Sequence, residues 1–243
     1  MNKNIGVTLF VLVVIVGVAA WALIHSRGVS DGDQSQPAIG QVLPQSLANP
    51  QSSDNQQPTP QTPATNISNL PPTDAEIKAA KDQKTMNATI TTSLGIIQVE
   101  LYGDKTPVTV ANFVKLANAG FYNGIKFHRV IKGFMIQGGD PLTKDDALQA
   151  QWGSGGPGYQ FADEPFTGSY TRGTLAMANS GPNTNGSQFF IMHQDYPLPP
   201  SYVIFGKVTA GLDAVDKIAN LQTDPSNDRP LTLPVIQSLT IDK

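Results

Sequence analysis

Short runs of alternating apolar and polar residues recur from Met86 to the end of the chain, and they restrict the folds it can adopt. Ala88-Ile90-Thr92 and Ile97-Val99-Leu101 flank Ser93-Leu94-Gly95, a pattern typical of a β-hairpin. Helices are predicted from Thr106-Pro107 to Gly120 and over 212–219. Further strands are predicted at 126–131, 134–137, 173–178, 188–192, 202–208 and 235–241. Many short strands with two helices favour a mainly β fold, a closed antiparallel barrel.

Two segments of this region concentrate residues that are costly to keep without a reason. The first is Phe127-His-Arg-Val-Ile-Lys-Gly-Phe-Met-Ile-Gln-Gly-Gly-Asp140, and the second is Leu175-Ala-Met-Ala-Asn-Ser-Gly-Pro-Asn-Thr-Asn-Gly-Ser-Gln-Phe-Phe-Ile191. They place an arginine inside an apolar strand, glutamine at two strand positions, and glycine and asparagine where the backbone turns. Such a combination points to a functional site built on the sheet.

In their order and spacing, these segments resemble the cyclophilin family of peptidyl-prolyl cis-trans isomerases. The resemblance covers roughly Met86 to Lys243. It implies a closed eight-stranded antiparallel β-barrel with an α-helix capping each open end. It also implies an isomerase without cofactor or metal, whose partners are proline-containing segments of unfolded or flexible proteins. We expect a monomer.

Rotation about an X–Pro amide has a barrier near 20 kcal/mol and needs no nucleophile. Twisting localises the lone pair on the prolyl nitrogen, so a donor aimed at that atom helps only in the transition state. The resemblance assigns this catalytic role to Arg129. From composition alone, an arginine in a strand is more often salt-bridged or directed to solvent. The residues that follow it at family spacing favour the functional interpretation.

The resemblance also predicts the residues that bind the substrate. A proline pocket is expected from Phe134, Met135, Phe190 and Leu198, although such residues are more often plain core. The remaining contacts are expected from polar or small residues, with Gln188 orienting either Arg129 or the peptide carbonyl: Gln137, Ala178, Asn179, Gln188 and Tyr202.

Two stretches depart from the family pattern. Before Val203-Ile-Phe-Gly-Lys207, many cyclophilins have a tryptophan, whereas this chain reads Tyr196-Pro-Leu-Pro-Pro-Ser-Tyr202. That tryptophan binds the inhibitor cyclosporin in human-type members. Because it is missing here, the resemblance does not imply that this chain binds cyclosporin. The second departure is Leu142–Trp152, an acidic, partly helical insertion that we expect to border the groove.

Several other sequence patterns give no evidence of a further functional site. Gly153-Ser-Gly-Gly-Pro-Gly158 matches GxGxxG, but no apolar strand precedes it and no helix follows, which argues against nucleotide binding. For His128 we expect a structural hydrogen bond, since isomerisation transfers no proton. The chain has no cysteine, and its three histidines show no metal-site spacing. A formal net charge of −3 gives no indication of nucleic-acid binding.

The first third of the chain differs in composition. Ile5–Ile24 is uncharged and corresponds to about 30 Å of helix, so residues 1–27 are predicted to be a membrane anchor or, alternatively, a cleaved signal peptide. Residues 28–72 are polar, proline-rich and free of aromatic residues, as in a disordered linker. Thr73 and Glu76 have capping-box spacing, so residues 73–85 are predicted to contain a short helix ahead of a domain at 86–243.

This organisation favours an isomerase that is tethered to a membrane and lies on its extracytoplasmic side, where it accelerates protein folding. If the leader is cleaved, the domain is secreted. The alternative function is a proline-segment-binding chaperone module whose catalysis is incidental. Arg129 favours the enzyme, because a pure binder could lose it and keep the pocket.

Overall fold

Eight strands form one curled antiparallel sheet in the computed structural model, which describes residues 70–242. The helices are α1 (Asp74–Gln83), α2 (Pro107–Asn118) and α3 (Leu212–Ala219), with 3₁₀ helices at Pro141–Lys144 and Asp146–Gln151. The strands are β1 (Thr85–Thr92), β2 (Gly95–Tyr102), β3 (Arg129–Ile131), β4 (Met135–Gly138), β5 (Thr174–Met177), β6 (Phe189–Met192), β7 (Ile204–Ala210), β8 (Thr223–Asp224), β9 (Arg229–Pro230) and β10 (Ile236–Ile241). The order in the large sheet is β10-β1-β2-β7-β5-β6-β4-β3, and β8 pairs separately with β9.

The two edge strands of the sheet, β3 and β10, are not paired with each other. Three backbone hydrogen bonds join the segments that lead into them: Gly124 N to Ile236 O at 2.8 Å, Ile236 N to Ile125 O at 2.8 Å, and Phe127 N to Pro234 O at 2.9 Å. Pro234 has no N–H to continue a ladder, and Gly124 has a φ of +82°. The predicted closed barrel is therefore a curled sheet whose edges are connected through irregular backbone.

One side of the sheet is covered by an apolar core to which α2 and α3 contribute. Phe113 of α2 is fully buried, and its ring centroid lies 5.1 Å from that of Tyr122, 5.6 Å from Phe189 and 5.2 Å from Phe205. Val215 and other buried residues of α3 pack in the same core. The predicted positions of both helices follow from the spacing of these apolar residues.

α1 is the helix predicted from the capping box, and it packs against α2. The carboxylate of Glu76 accepts the N–H of Thr73 at 2.7 Å, and the hydroxyl of Thr73 accepts the N–H of Glu76 at 3.3 Å. Ala80 is buried, and a Cβ at Gly103 would come within 2.2 Å of its carbonyl oxygen. The folded unit therefore includes α1 and begins before Met86.

The predicted anchor or signal peptide and most of the predicted linker lie outside the described residues. Between residues 70 and 242, no helix has the length and apolar character that a membrane span requires.

Candidate active site

The face of β3, β4, β6 and β5 opposite the main core carries a row of residues that includes the predicted catalytic arginine. Arg129 is paired with Gln137, Gln137 with Phe190, and Phe190 with Ala176. Directly paired residues of neighbouring antiparallel strands lie on the same face of the sheet. A second row two residues along pairs Ile131, Met135 and Met192. The period-two pattern thus directs Arg129, Gln137 and Phe190 away from the main core.

This face holds a second apolar cluster, separate from the main core. Its buried members are Met135, Tyr170, Ala176, Phe190, Met192 and Ile204, and the partly buried residues packed on them include Ile131, Phe134, Ala178, Leu198 and Tyr202. Every apolar or aromatic residue predicted for the substrate site is in this cluster. Its partly buried surface can accept the ring of a proline.

Aromatic contacts hold the cluster in shape. The ring of Phe190, only 5% exposed, lies edge-on to Tyr202 at 5.7 Å and lies 6.4 Å from Tyr170. The Tyr170 hydroxyl donates to the carbonyl of Tyr202 at 2.9 Å and accepts its N–H at 3.1 Å. Burial raises the pKa of Tyr170, so this hydroxyl keeps its proton at neutral pH. Tyr170 therefore fixes the backbone of the segment in which the family tryptophan is missing.

Arg129 lies at one edge of the cluster, at the start of β3. Its side chain is 40% exposed, and its Nε lies 3.4 Å from Oδ2 of Asp228. The guanidinium is thus accessible to a peptide lying along the face. Its partner comes from the turn between β8 and β9, a part of the chain for which the sequence predicted no site residue.

The two glutamines of the site are hydrogen-bonded to each other. Nε2 of Gln137 donates to Oε1 of Gln188 at 3.0 Å, and Nε2 of Gln188 donates to the carbonyls of Gly153 and Gly155, both at 2.9 Å. Gln188 therefore hydrogen-bonds to Gln137, and its expected role in orienting Arg129 or the peptide carbonyl stays a prediction. The side chain of Asn179 donates to the carbonyl of Ser201 at 2.9 Å, so it too is oriented.

A cavity of about 350 Å³ adjoins these residues. Its lining includes Gln137, Ala178, Asn179, Gln188 and the glycine-rich residues 153–160. Buried Asp140 shapes one wall by accepting the N–H groups of Leu142 at 2.8 Å and Gly155 at 3.3 Å, and also that of Gly153. The GxGxxG match at 153–158 therefore forms a cavity wall and does not open a helix.

His128 is buried beside the site, and its predicted hydrogen bond is absent. Only 6% of the residue is exposed, and within residues 70–242 neither ring nitrogen has a hydrogen-bond partner. Burial lowers its pKa to about 4, which makes the ring neutral at pH 7. Asp140 and the two arginines Arg129 and Arg229 are close enough to affect the pKa of the ring, but their effects are smaller than that of burial.

The structure also reveals two residues of the site that the sequence reasoning missed. Tyr170 precedes β5 in an irregular stretch, and Asp228 lies 99 residues from Arg129 in a turn. Neither position has a periodic pattern or a spacing that signals a site. Only the tertiary fold brings them to the groove.

The site thus combines a half-exposed arginine with a partly buried apolar and aromatic cluster on one face of a curled antiparallel sheet. The family model described as "Cyclophilin type peptidyl-prolyl cis-trans isomerase/CLD" matches residues 87–241, and the chain belongs to this family.

Similar proteins come from several eukaryotes. The chain is 46% identical over 159 residues to a peptidyl-prolyl cis-trans isomerase-like 2 of Cryptococcus neoformans, an alignment that covers 63% of this chain and 27% of the relative. It is 42% identical over 159 residues to a peptidyl-prolyl cis-trans isomerase-like 3 of Gallus gallus, with 64% of this chain and 96% of the relative covered. The chain thus spans about a quarter of the first relative and nearly all of the second.

Solved structures show the same domain. A crystal structure of a Cryptosporidium parvum cyclophilin type peptidyl-prolyl cis-trans isomerase matches with a TM-score of 0.59 and 36% identity, covering 65% of this chain and 98% of that one. A second crystal structure of that protein, in the presence of the dipeptide Ala-Pro, matches with a TM-score of 0.58.

Proposed function

We propose that this chain accelerates cis-trans rotation about X–Pro bonds in folding proteins. The observation that carries the proposal is the placement of Arg129 on the same sheet face as the cluster around Met135 and Phe190. The arginine supplies a charged donor, and the cluster supplies an apolar surface for the proline ring. Family membership and the Ala-Pro dipeptide in the related structure support the same activity.

The geometry suggests how a substrate lies in the site. β3 and β6 are separated by β4, so Arg129 and Phe190 are about 10 Å apart, two strand spacings. We propose that a proline ring packed on Phe190 has its nitrogen on the side that faces Arg129. Gln137 lies between them and can hold the peptide backbone.

One hydrogen bond from Arg129 can supply only part of the rate acceleration that catalysis requires. Turnover in milliseconds requires about 10⁴–10⁵-fold acceleration, or about 5.5–7 kcal/mol. A charge-assisted hydrogen bond supplies about 1.5–3 kcal/mol. The remainder comes from the apolar cluster, which disfavours the planar, charge-separated amide relative to the twisted one. No proton is transferred, in agreement with a neutral, enclosed His128.

A refolding experiment tests this function. In a protein whose slow refolding phase is limited by proline isomerisation, catalytic amounts of the full chain should raise the rate of that phase in proportion to its concentration. Arg129→Ala should leave the phase unchanged at the same concentrations. A slow phase that is unaffected by the wild-type chain would contradict the proposal.

A second candidate is a chaperone module that binds proline segments and catalyses only incidentally. It is favoured by the extent of the aromatic surface: the tilted rings of Phe134 and Tyr196 have centroids 4.6 Å apart, and Tyr196 is 47% exposed. Such a module would suppress aggregation of a proline-rich client equally well with alanine at position 129. The enzyme hypothesis predicts that the suppression of aggregation depends on Arg129.

We also propose that the domain is tethered to a membrane on its extracytoplasmic side. The support is the uncharged stretch Ile5–Ile24 together with the polar segment 28–72, which as a flexible coil would span about 35–40 Å. The full-length protein should remain with membranes after a carbonate wash, at unprocessed mass. A secreted form that starts near Trp21 would instead identify a signal peptide.

A further inference from the structure

The turn between β8 and β9 contacts the strand that carries Arg129 in two ways. Oδ2 of Asp228 lies 3.4 Å from Nε of Arg129, and the carbonyl of Asp228 accepts the N–H of Val130 at 2.9 Å. Asp228 itself has a φ of +59°, a conformation that aspartate and asparagine adopt more readily than most residues. One residue of this turn thus contacts both the guanidinium of Arg129 and the peptide N–H of the next residue, Val130.

The residue after Asp228 is Arg229, the first residue of β9, and it is bound to the insertion at Leu142–Trp152. Nη2 of Arg229 donates to the carbonyl of Gln149 at 2.9 Å, and its guanidinium carbon lies 4.9 Å from the ring centroid of Trp152. Lys126 contacts the same ring, with Nζ 5.0 Å from the centroid. The insertion therefore holds the β8–β9 turn through a cation–π contact and a hydrogen bond.

Trp152 is itself fixed within the insertion. Its indole N–H lies within hydrogen-bond distance of the carbonyls of Leu142 at 3.0 Å and Asp145 at 3.2 Å. These contacts connect the two 3₁₀ helices to the tryptophan ring. A continuous set of contacts then runs from the insertion through Arg229 and Asp228 to Arg129.

We propose that Asp228 is a positioning residue for Arg129 and that the 142–152 insertion, through Trp152, holds Asp228 in place. This inference rests on the proposed function, since it assigns Arg129 to the prolyl nitrogen. A half-exposed arginine has many rotamers, and each unproductive one reduces the fraction of bound peptide that meets the donor. A carboxylate at Nε keeps the guanidinium over the face while its two Nη groups remain free to donate.

The test compares Asp228→Asn with the wild-type full chain. Asparagine has nearly the same size and tolerates the positive φ, so the turn is kept and only the charge is removed. We expect kcat/KM to fall about two- to fivefold, the range that an exposed ion pair supplies, while peptide Kd stays unchanged. In the Arg129→Ala background, Asp228→Asn should have no further effect. Asp213→Asn is the matched control, because Asp213 forms an exposed pair with Lys217 at 3.0 Å on α3, and it should leave kcat/KM unchanged.

Trp152→Leu tests whether the 142–152 insertion holds Asp228 in place. It should lower kcat/KM in the same direction, and combining it with Asp228→Asn should add nothing. The NMR signal of the Arg129 Nε–H group should shift in both variants and not in Asp213→Asn. Wild-type kcat/KM in Asp228→Asn, or an equal loss in the Arg129→Ala background, would overturn the inference. If the wild-type chain has no isomerase activity, the proposed function is refuted. In that case the NMR measurement still tests the contact between Asp228 and Arg129, and an Nε–H signal that does not shift in Asp228→Asn would refute it.

Discussion

Replacing Arg129 by alanine should remove most of the isomerase activity while leaving the domain folded. The side chain is 40% exposed and its ion pair with Asp228 is long, at 3.4 Å, so its loss should cost at most about 1 kcal/mol of stability. For a domain of this size, that corresponds to a decrease in Tm of about 2–4 °C. The variant can therefore be assayed as a folded protein.

The expected loss of activity follows from the hydrogen bond that Arg129 donates. We expect kcat/KM to fall by at least about 100-fold, equivalent to about 2.7 kcal/mol, because a bond to the pyramidal prolyl nitrogen is made only in the transition state. Peptide affinity should change much less. The kcat/KM of Arg129→Lys should lie between those of the wild-type chain and Arg129→Ala, since lysine keeps the charge but lacks the planar guanidinium group.

The assay is protease-coupled isomerisation of an X–Pro peptide, with peptide Kd measured in parallel by fluorescence polarisation. Lys217→Ala, which breaks an exposed ion pair on α3, is the control for loss of a surface cation. If Arg129→Ala is folded and retains near-wild-type turnover, the mechanism assigned to the arginine is wrong.

Three further predictions concern other parts of the domain. Phe190→Ala should weaken peptide binding at least tenfold and lower stability by about 3 kcal/mol, because a ring that is 5% exposed is removed from the pocket; unchanged Kd by titration would argue against the pocket. Glu164→Ala should lower Tm by about 2–8 °C in a thermal melt at unchanged kcat/KM, because its carboxylate accepts the first-turn N–H groups of α2 from Val108 at 2.9 Å and Thr109 at 2.7 Å; an unchanged Tm would refute this. The contribution of His128 to the free energy of unfolding should be fully present above about pH 6.5 and should fall by about 3 kcal/mol towards pH 4. The reason is that burial lowers the pKa of His128 to about 4, so between these pH values the unfolded chain binds a proton that the folded chain does not. Urea unfolding across this range checks it, and a His128→Gln variant with the same slope would disprove the assignment.

The helices and the site strands could be predicted from the sequence because their signals are local. α3 has the predicted bounds, 212–219, since Gly211 precedes an apolar period of helical type. β4 and β6 lie within about a residue of their predicted positions. Once alternation along β4 is given, Met135 and Gln137 must share one face. The assignment of roles to these residues came from the family resemblance and not from periodicity.

Features that depend on long-range contacts could not be predicted. The sequence pattern predicts a strand from residue 126, but β3 starts at Arg129, because Phe127 donates to Pro234 outside any regular ladder. The ribbon of β8 and β9 has strands of two residues, too short to show a period. The contact between Asp228 and Arg129 joins residues far apart in sequence and follows only from the folded turn. His128 looked like a hydrogen-bonding residue, and its enclosure became evident only in the structure.

The central claim is that the site catalyses rotation and does not merely bind proline segments. NMR exchange spectroscopy on a short X–Pro peptide, with the full chain at substoichiometric concentration, measures this rotation at equilibrium. The uncatalysed rotation takes tens to hundreds of seconds, so exchange cross-peaks between cis and trans signals within a second require catalysis. We predict such cross-peaks with the wild-type chain and their loss in Arg129→Ala, with peptide binding kept. Binding by the wild-type chain without any exchange cross-peak would contradict the account and favour the chaperone module.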